Sequence, residues 1–172
     1  MPLNFEFKAR TTRLQELEER LLSYQPLFKG VDHQVDTYFN VPHGRLKLRE
    51  GAIENVLIHY QRHNIAGAKQ SDVLLYEHQP QPSLKEVLTA ALGVKVVVDK
   101  QRKIYFIDNV KFHFDLVKDL GTFVEVEAID QDGSIGLEKL QEQCHYYSQL
   151  FELAEEDFLA ESYSDLLLKA QV

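Results

Sequence analysis

The chain has 172 residues, 44% hydrophobic and 27% charged, the make-up of one soluble globular domain spanning 1–172 with a real core. Its formal charge of −8 argues against a nucleic-acid or anionic-membrane surface, and no apolar run approaches the length of a bilayer span. Cys144 is the sole cysteine, which excludes a disulfide within the chain; with no signal peptide ahead of the first strand, a cytoplasmic protein is expected.

Asn4, Glu6, Lys8 and Arg10 alternate with Phe5, Phe7 and Ala9, so the opening stretch reads as a strand with one polar and one apolar face. Leu14, Leu17 and Leu21 predict a helix over Thr12 to Tyr24, with Thr11 or Thr12 as N-cap and Pro26 beyond it. Strands follow at Val35 to Phe39, Arg45 to Arg49, Val56 to Arg62 and Asp72 to Glu77, with a turn at Pro42 to Gly44. Ser83 and Glu86 make a capping box for a short helix ending near Leu92, before Gly93. Three extended segments come next, Val94 to Lys100, Lys103 to Ile107 and Val110 to Val117, with Asp108-Asn109 as a tight turn between the last two. Thr122 to Ile129 is the last strand. The remainder is helical, with Leu137, Leu140, Cys144, Tyr147 and Phe151 on one stripe and a second helix through Leu166 to Leu168. Cys144 on that stripe is expected to be buried rather than reactive. About eight strands at this spacing favour an antiparallel sheet, which can close into a barrel.

The opening pattern recurs. Arg45, Lys47 and Arg49 share a face, as do Lys100 and Arg102; Lys111, His113 and Asp115 alternate with Phe112 and Phe114, and Glu125 and Glu127 with Val124 and Val126. Arg62 ends its strand and Lys69 lies in the loop after it. If these faces converge, they collect ten of the nineteen lysines and arginines together with Glu6, Asp115, Glu125 and Glu127. Such a lining suits polyphosphate: fixed cations neutralise it, arginine grips its oxygens in pairs, and carboxylates hold Mg2+ or Mn2+. The plain alternative is an amphipathic sheet with a wet charged face, where such charges repel at little cost.

Other motifs carry less. No histidine has zinc spacing, and a structural role is expected for His113. In "DQDGSIG" Gly133 falls too early for a calcium loop, so a turn before a Ser134-capped helix is expected. No glycine-rich phosphate cradle is present. Tyr38, Phe39 and Tyr60 are expected in the core.

"NFEFKAR" resembles the N-terminal ExExK signature of the CYTH superfamily, the triphosphate tunnel metalloenzymes. "VDTYFNVPHGRLKLRE", "YQRHNIAGAKQSD", "DKQRKIYF" and "FHFDLVKDLGTFVEVEA" follow in that superfamily's order, and "ESYSDLL" resembles its tail. The likeness covers nearly the whole chain and looks closest to the class IV adenylate cyclase branch. It implies an α+β fold: a closed eight-stranded antiparallel β-barrel, the triphosphate tunnel, with flanking helices. It implies metal ligands at Glu6, Glu125 and Glu127, with Asp115 as a further candidate. It implies phosphate ligands at Lys8, Arg45, Lys47, Arg49, Arg62, Lys100 and Arg102, with Arg10, Lys69 and Lys111 as weaker matches. The first acid of the signature is Asn4 here, which removes one negative charge from the metal site.

The expected activity is metal-dependent hydrolysis of a small-molecule triphosphate such as ATP, thiamine triphosphate or inorganic triphosphate, with Glu125, Glu127 and Lys8 as catalytic residues. The alternatives are a class IV adenylate cyclase making cyclic AMP and pyrophosphate, and a non-catalytic nucleotide or polyphosphate-binding module. From Ser134 onward eight acids face only Lys139 and Lys169, a balance that permits a homodimer without requiring one.

Overall fold

A computed structural model describes residues 3–61 and 69–170. Eight strands, β1 (Leu3–Arg10), β2 (Leu27–Phe39), β3 (Arg45–Glu50), β4 (Asn55–Gln61), β5 (Lys69–Glu77), β6 (Val94–Ile107), β7 (Val110–Val117) and β8 (Gly121–Asp130), form a closed barrel in the order β1-β5-β4-β3-β2-β6-β7-β8. Every neighbouring pair is antiparallel. Helices α1 (Leu14–Leu22), α2 (Pro82–Leu92), α3 (Leu137–Leu150) and α4 (Tyr163–Ala170) flank it. None of the described helices is long and apolar enough to cross a membrane.

Strand alternation sorts two kinds of interior. Outside the barrel wall, Phe7, Phe112, Phe114, Val124 and Val126 pack beneath Leu17 and Leu21 of α1 and Leu140, Cys144 and Tyr147 of α3. The inward positions of the same strands are the charged ones. At one end the lumen turns apolar: Tyr38, Tyr60, Val98 and Phe123 cluster with Tyr163 and Leu167 of α4. The polar face of β1 is therefore covered as well, with Glu6 and Lys8 buried opposite Phe7 and Ala9.

Some boundaries differ from the sequence expectation. β6 runs unbroken from Val94 to Ile107, because Lys100 to Lys103 bond to β2 on one side and β7 on the other. β2 begins at Leu27 rather than Val35; its early half is polar and lacks an apolar alternation, yet Asp32 and Gln34 are fully buried. The expected helix caps do not form. Thr11 Oγ1 accepts from Arg13 N–H just ahead of α1, Pro82 displaces Ser83 from the cap of α2, and Gly136 rather than Ser134 precedes α3. The Asp108-Asn109 turn forms, with Asp108 at φ 51°. Asp130 accepts from the N–H groups of Gly133, Ile135 and Gly136, so that loop is a turn.

Candidate active site

The lumen encloses a cavity of about 890 Å³ lined from all eight strands. It brings together Asn4, Glu6, Lys8, Lys47, Arg49, Lys100, Arg102, Lys111, His113, Glu125 and Glu127. Strand period does this: each is an inward residue, and its outward neighbours are in the core or the ladder.

The middle of the lumen is a set of cations fixed from behind. Asp36, wholly buried on β2, accepts from Arg49 Nε and Nη2 at 2.9 Å each and from Lys100 Nζ at 2.7 Å, with Lys47 Nζ at 3.8 Å. Burial pushes the Asp36 carboxyl up, and the charges of Arg49, Lys100 and Lys47 outweigh it and hold the group well below the carboxylate range. Lys100 is itself pushed down to about 7, by burial first and by Arg49, Arg102 and Lys47, against the pull of Asp36. One carboxylate shared among three cations compensates each only in part.

Arg102 is held in the same way. Its Nε and Nη2 donate to the two oxygens of Asp115 at 2.8 and 2.7 Å, and Nη2 also to Glu125 Oε1 at 3.0 Å. Tyr163 O–H donates to Asp115 Oδ2 at 2.7 Å. His113 Nδ1 lies 2.8 Å from Glu125 Oε1, and Lys8 Nζ lies 3.9 Å from Glu125 Oε2 and 4.1 Å from the centre of the Tyr163 ring. Burial and then Arg102 push His113 down to about 4, so the ring is neutral at pH 7, and its Nε2 is buried without a partner. Donor atoms of His113, Asp115 and Glu125 lie within 4.8 Å of one another, but the Arg102 guanidinium already bridges the two acids.

Negative charge is in excess at the next position along β1 and β8. Glu6 and Glu127 face each other in register, with Lys111 opposite Glu127 on β7. Burial pushes Glu127 up to about 7, and the Glu6, Glu125 and Glu54 charges add to this against Lys111. Asn4 Nδ2 donates to Glu127 Oε2 at 3.3 Å, so the amide orients a carboxylate without adding charge. Two facing carboxylates, Glu6 buried and Glu127 partly so, fit a hard divalent cation, which takes oxygen ligands and offsets their mutual repulsion.

Other sequence candidates lie elsewhere. Arg10 is exposed, donates to the Leu120 carbonyl at 2.9 Å and lies over the Phe123 ring. Arg45 is turned toward α4, bonded to Ser162, Ser164 and Asp165 at 2.9, 3.1 and 2.8 Å. Asp115 is buried beneath Arg102. Arg62 lies outside the described residues, and of Lys69 only the backbone in β5 is described. Three contributors had no assigned role: Asp36, Tyr163 and Glu54. Asp36 shares its face with the aromatic Tyr38, and Glu54 sits in a turn where no periodicity applies.

The family model described as CYTH domain matches residues 3–163. No curated protein matches the chain. Among solved structures, a conserved hypothetical protein of Pyrococcus furiosus aligns with TM-score 0.80 at 22% identity, covering 95% of this chain and 99% of that one. A candidate adenylate cyclase of Vibrio parahaemolyticus aligns with TM-score 0.78 at 18% identity over 96% and 98%. A candidate adenylyl cyclase of Hippeastrum, described as having a dominant triphosphatase activity, aligns with TM-score 0.62 at 14% identity over 99% and 96%. At these identities the likeness is one of fold.

Proposed function

The chain belongs to the CYTH domain family, and on that premise we propose that it binds a triphosphate compound with a divalent metal in the barrel lumen and hydrolyses it. One observation carries the reading: the Glu6 and Glu127 carboxylates face each other across the β1–β8 ladder beside a row of bases held by their own counter-ions. Lys8, Lys47, Arg49, Lys100 and Arg102 bind and orient the phosphates. Asp36 sets Lys47, Arg49 and Lys100 in advance, Asp115 sets Arg102, and Glu125 lies against Lys8, so little reorganisation is needed when charge builds on the transferring group. Glu6, Glu125 and Glu127 would hold Mg2+ or Mn2+, and Asp115 is left to position Arg102. When bound, the metal neutralises developing charge on the phosphate oxygens. Glu125, already hydrogen-bonded to His113, orients the attacking water. Arg10 and Arg45 act outside this set.

The test is product analysis on pure protein given ATP, thiamine triphosphate or inorganic triphosphate, each with Mg2+ or Mn2+. Orthophosphate with the matching diphosphate is the expected result. Cyclic AMP with pyrophosphate would make the protein a cyclase, and no product with tight calorimetric binding would make it a binding module.

A further inference from the structure

Glu54 has no part in that reading, yet its carboxylate stands in the lumen. It lies in the turn between β3 and β4. The backbone N–H groups of Ala52, Ile53 and Glu54 donate to the Asp32 carboxylate at 2.7, 2.9 and 3.0 Å. Asp32 is wholly buried, and a Cβ on Gly51 would come within 2.8 Å of both its oxygens, so the turn is drawn tight and glycine is required there. Glu54 is thereby aimed inward. Its Oε1 accepts from Arg49 Nη1 at 3.1 Å and from Gln34 Nε2 at 3.0 Å, and its Oε2 pairs with Lys111. Gln34 Nε2 is also bonded to Asp32 at 2.9 Å, which ties the side chain to the same anchor as its backbone.

This acid differs from Asp36 and Asp115. Those two are at most 1% exposed and hold their arginines from behind. Glu54 is 20% exposed at its side chain, lines the cavity and meets Arg49 and Lys111 from the lumen. A carboxylate spanning an arginine and a lysine uses the donors that two phosphate oxygens would use. Resting on the triphosphate reading above, we propose that Glu54 ends the phosphate row on this side and sets the length of the chain bound. Between the Glu54 carboxylate and the α4 end the lumen offers a triphosphate Lys8, Lys47, Lys100, Arg102 and the other edge of Arg49. A longer linear polyphosphate must place a further phosphate where Glu54 already neutralises Lys111 and one edge of Arg49, and meets like charge there.

The experiment is calorimetric titration, without metal, of inorganic triphosphate and of a longer linear polyphosphate into the full chain and its Glu54→Gln variant, with thermal melts to confirm folding. The glutamine keeps the shape and bonds to Arg49 while removing the charge. Wild type should bind the longer chain no more tightly, molecule for molecule, than triphosphate. Glu54→Gln should raise the ratio of long-chain to triphosphate affinity by roughly tenfold, the scale of one like charge removed at close range in a partly screened site. Glu77→Gln, an exposed acid at the same end of the cavity, should leave the ratio unchanged. A wild type that already prefers the long chain overturns the proposal without any variant. So does a folded Glu54→Gln with an unchanged ratio, or an equal rise in Glu77→Gln. A wild type that binds neither ligand overturns the triphosphate reading itself.

Discussion

Glu127 combines partial burial with a second carboxylate directly across the ladder, against which stand the Lys111 charge and the Asn4 amide. Removing its charge takes away a metal ligand but no phosphate donor. Glu127→Gln is expected to cut metal-dependent turnover by roughly a hundredfold or more while leaving metal-free triphosphate affinity within a few fold. Steady-state assays beside calorimetry check both halves, and undiminished turnover would remove Glu127 from the mechanism. Arg49→Ala tests the other half of the site. It takes away a buried guanidinium that reaches the lumen, and triphosphate affinity should fall by about tenfold or more. Period two was enough to bring Glu6, Lys8, Lys47, Arg49, Lys100, Arg102, Lys111, Glu125 and Glu127 to one lumen. It could not supply Glu54, whose direction comes from three backbone bonds in a turn. Nor could it show that most of the bases arrive already paired, because that depends on which strands adjoin after closure.

At the scale of elements, strand alternation was readable wherever an apolar residue marked every second position, as in β1, β3, β7 and β8. It failed where both faces are polar. The early half of β2 buries Asp32 and Gln34 on one face and exposes Val31 and His33 on the other, so its sequence looks like a loop. Arg45 shows how an element can redirect a residue that shares its face with the site. It lies on the face of Lys47 and Arg49, but Ser162 just ahead of α4 and Ser164 and Asp165 in its first turn are bonded to it. Arg45 thus acts as a clamp between β3 and α4. In a double-mutant cycle, Arg45→Ala and Asp165→Asn should show a coupling on the order of 1 kcal/mol, since the pair is partly exposed. Chemical denaturation of the four proteins measures it, and additive losses would show that the clamp contributes nothing. Arg45→Ala should also weaken triphosphate binding less than Arg49→Ala does; the opposite order would return Arg45 to the phosphate row.

Across the whole molecule, this barrel has one apolar cluster outside the wall, under α1 and α3, another at the α4 end of the lumen, and a lattice of ion pairs in the rest of the interior. Its stability therefore depends on pH in a way that an apolar barrel's would not. Burial pushes Asp36, Asp115, Glu125 and Glu54 up, yet the facing arginines, lysines and His113 outweigh it and hold all four below the carboxylate range. In the fold these groups stay ionised while the unfolded chain takes up protons. The stability they contribute is complete above about pH 4.5 and is lost as pH falls through their folded values. Two groups act over most of the span from there to neutrality with opposite sign, while Lys100, lowered to about 7 from 10.5, acts from its upper edge onward. Glu127, raised to about 7 from 4.5, binds a proton in the fold that the unfolded chain has released, so its contribution fades as pH rises through 7. His113, lowered to about 4 from 6.5, lacks a proton that the unfolded chain holds, so its contribution grows with pH over nearly the same range. The two slopes largely cancel. Metal-free protein should accordingly show a flat melting temperature from about pH 5 to about pH 7. Below about pH 4 it should lose on the order of 3 kcal/mol, or roughly 10 °C in Tm for a chain of this size. Circular-dichroism melts in a chelating buffer series check this. A Tm that stayed level down to about pH 3 would mean that the paired carboxylates contribute no net stability, and that the apolar shell alone holds the barrel closed.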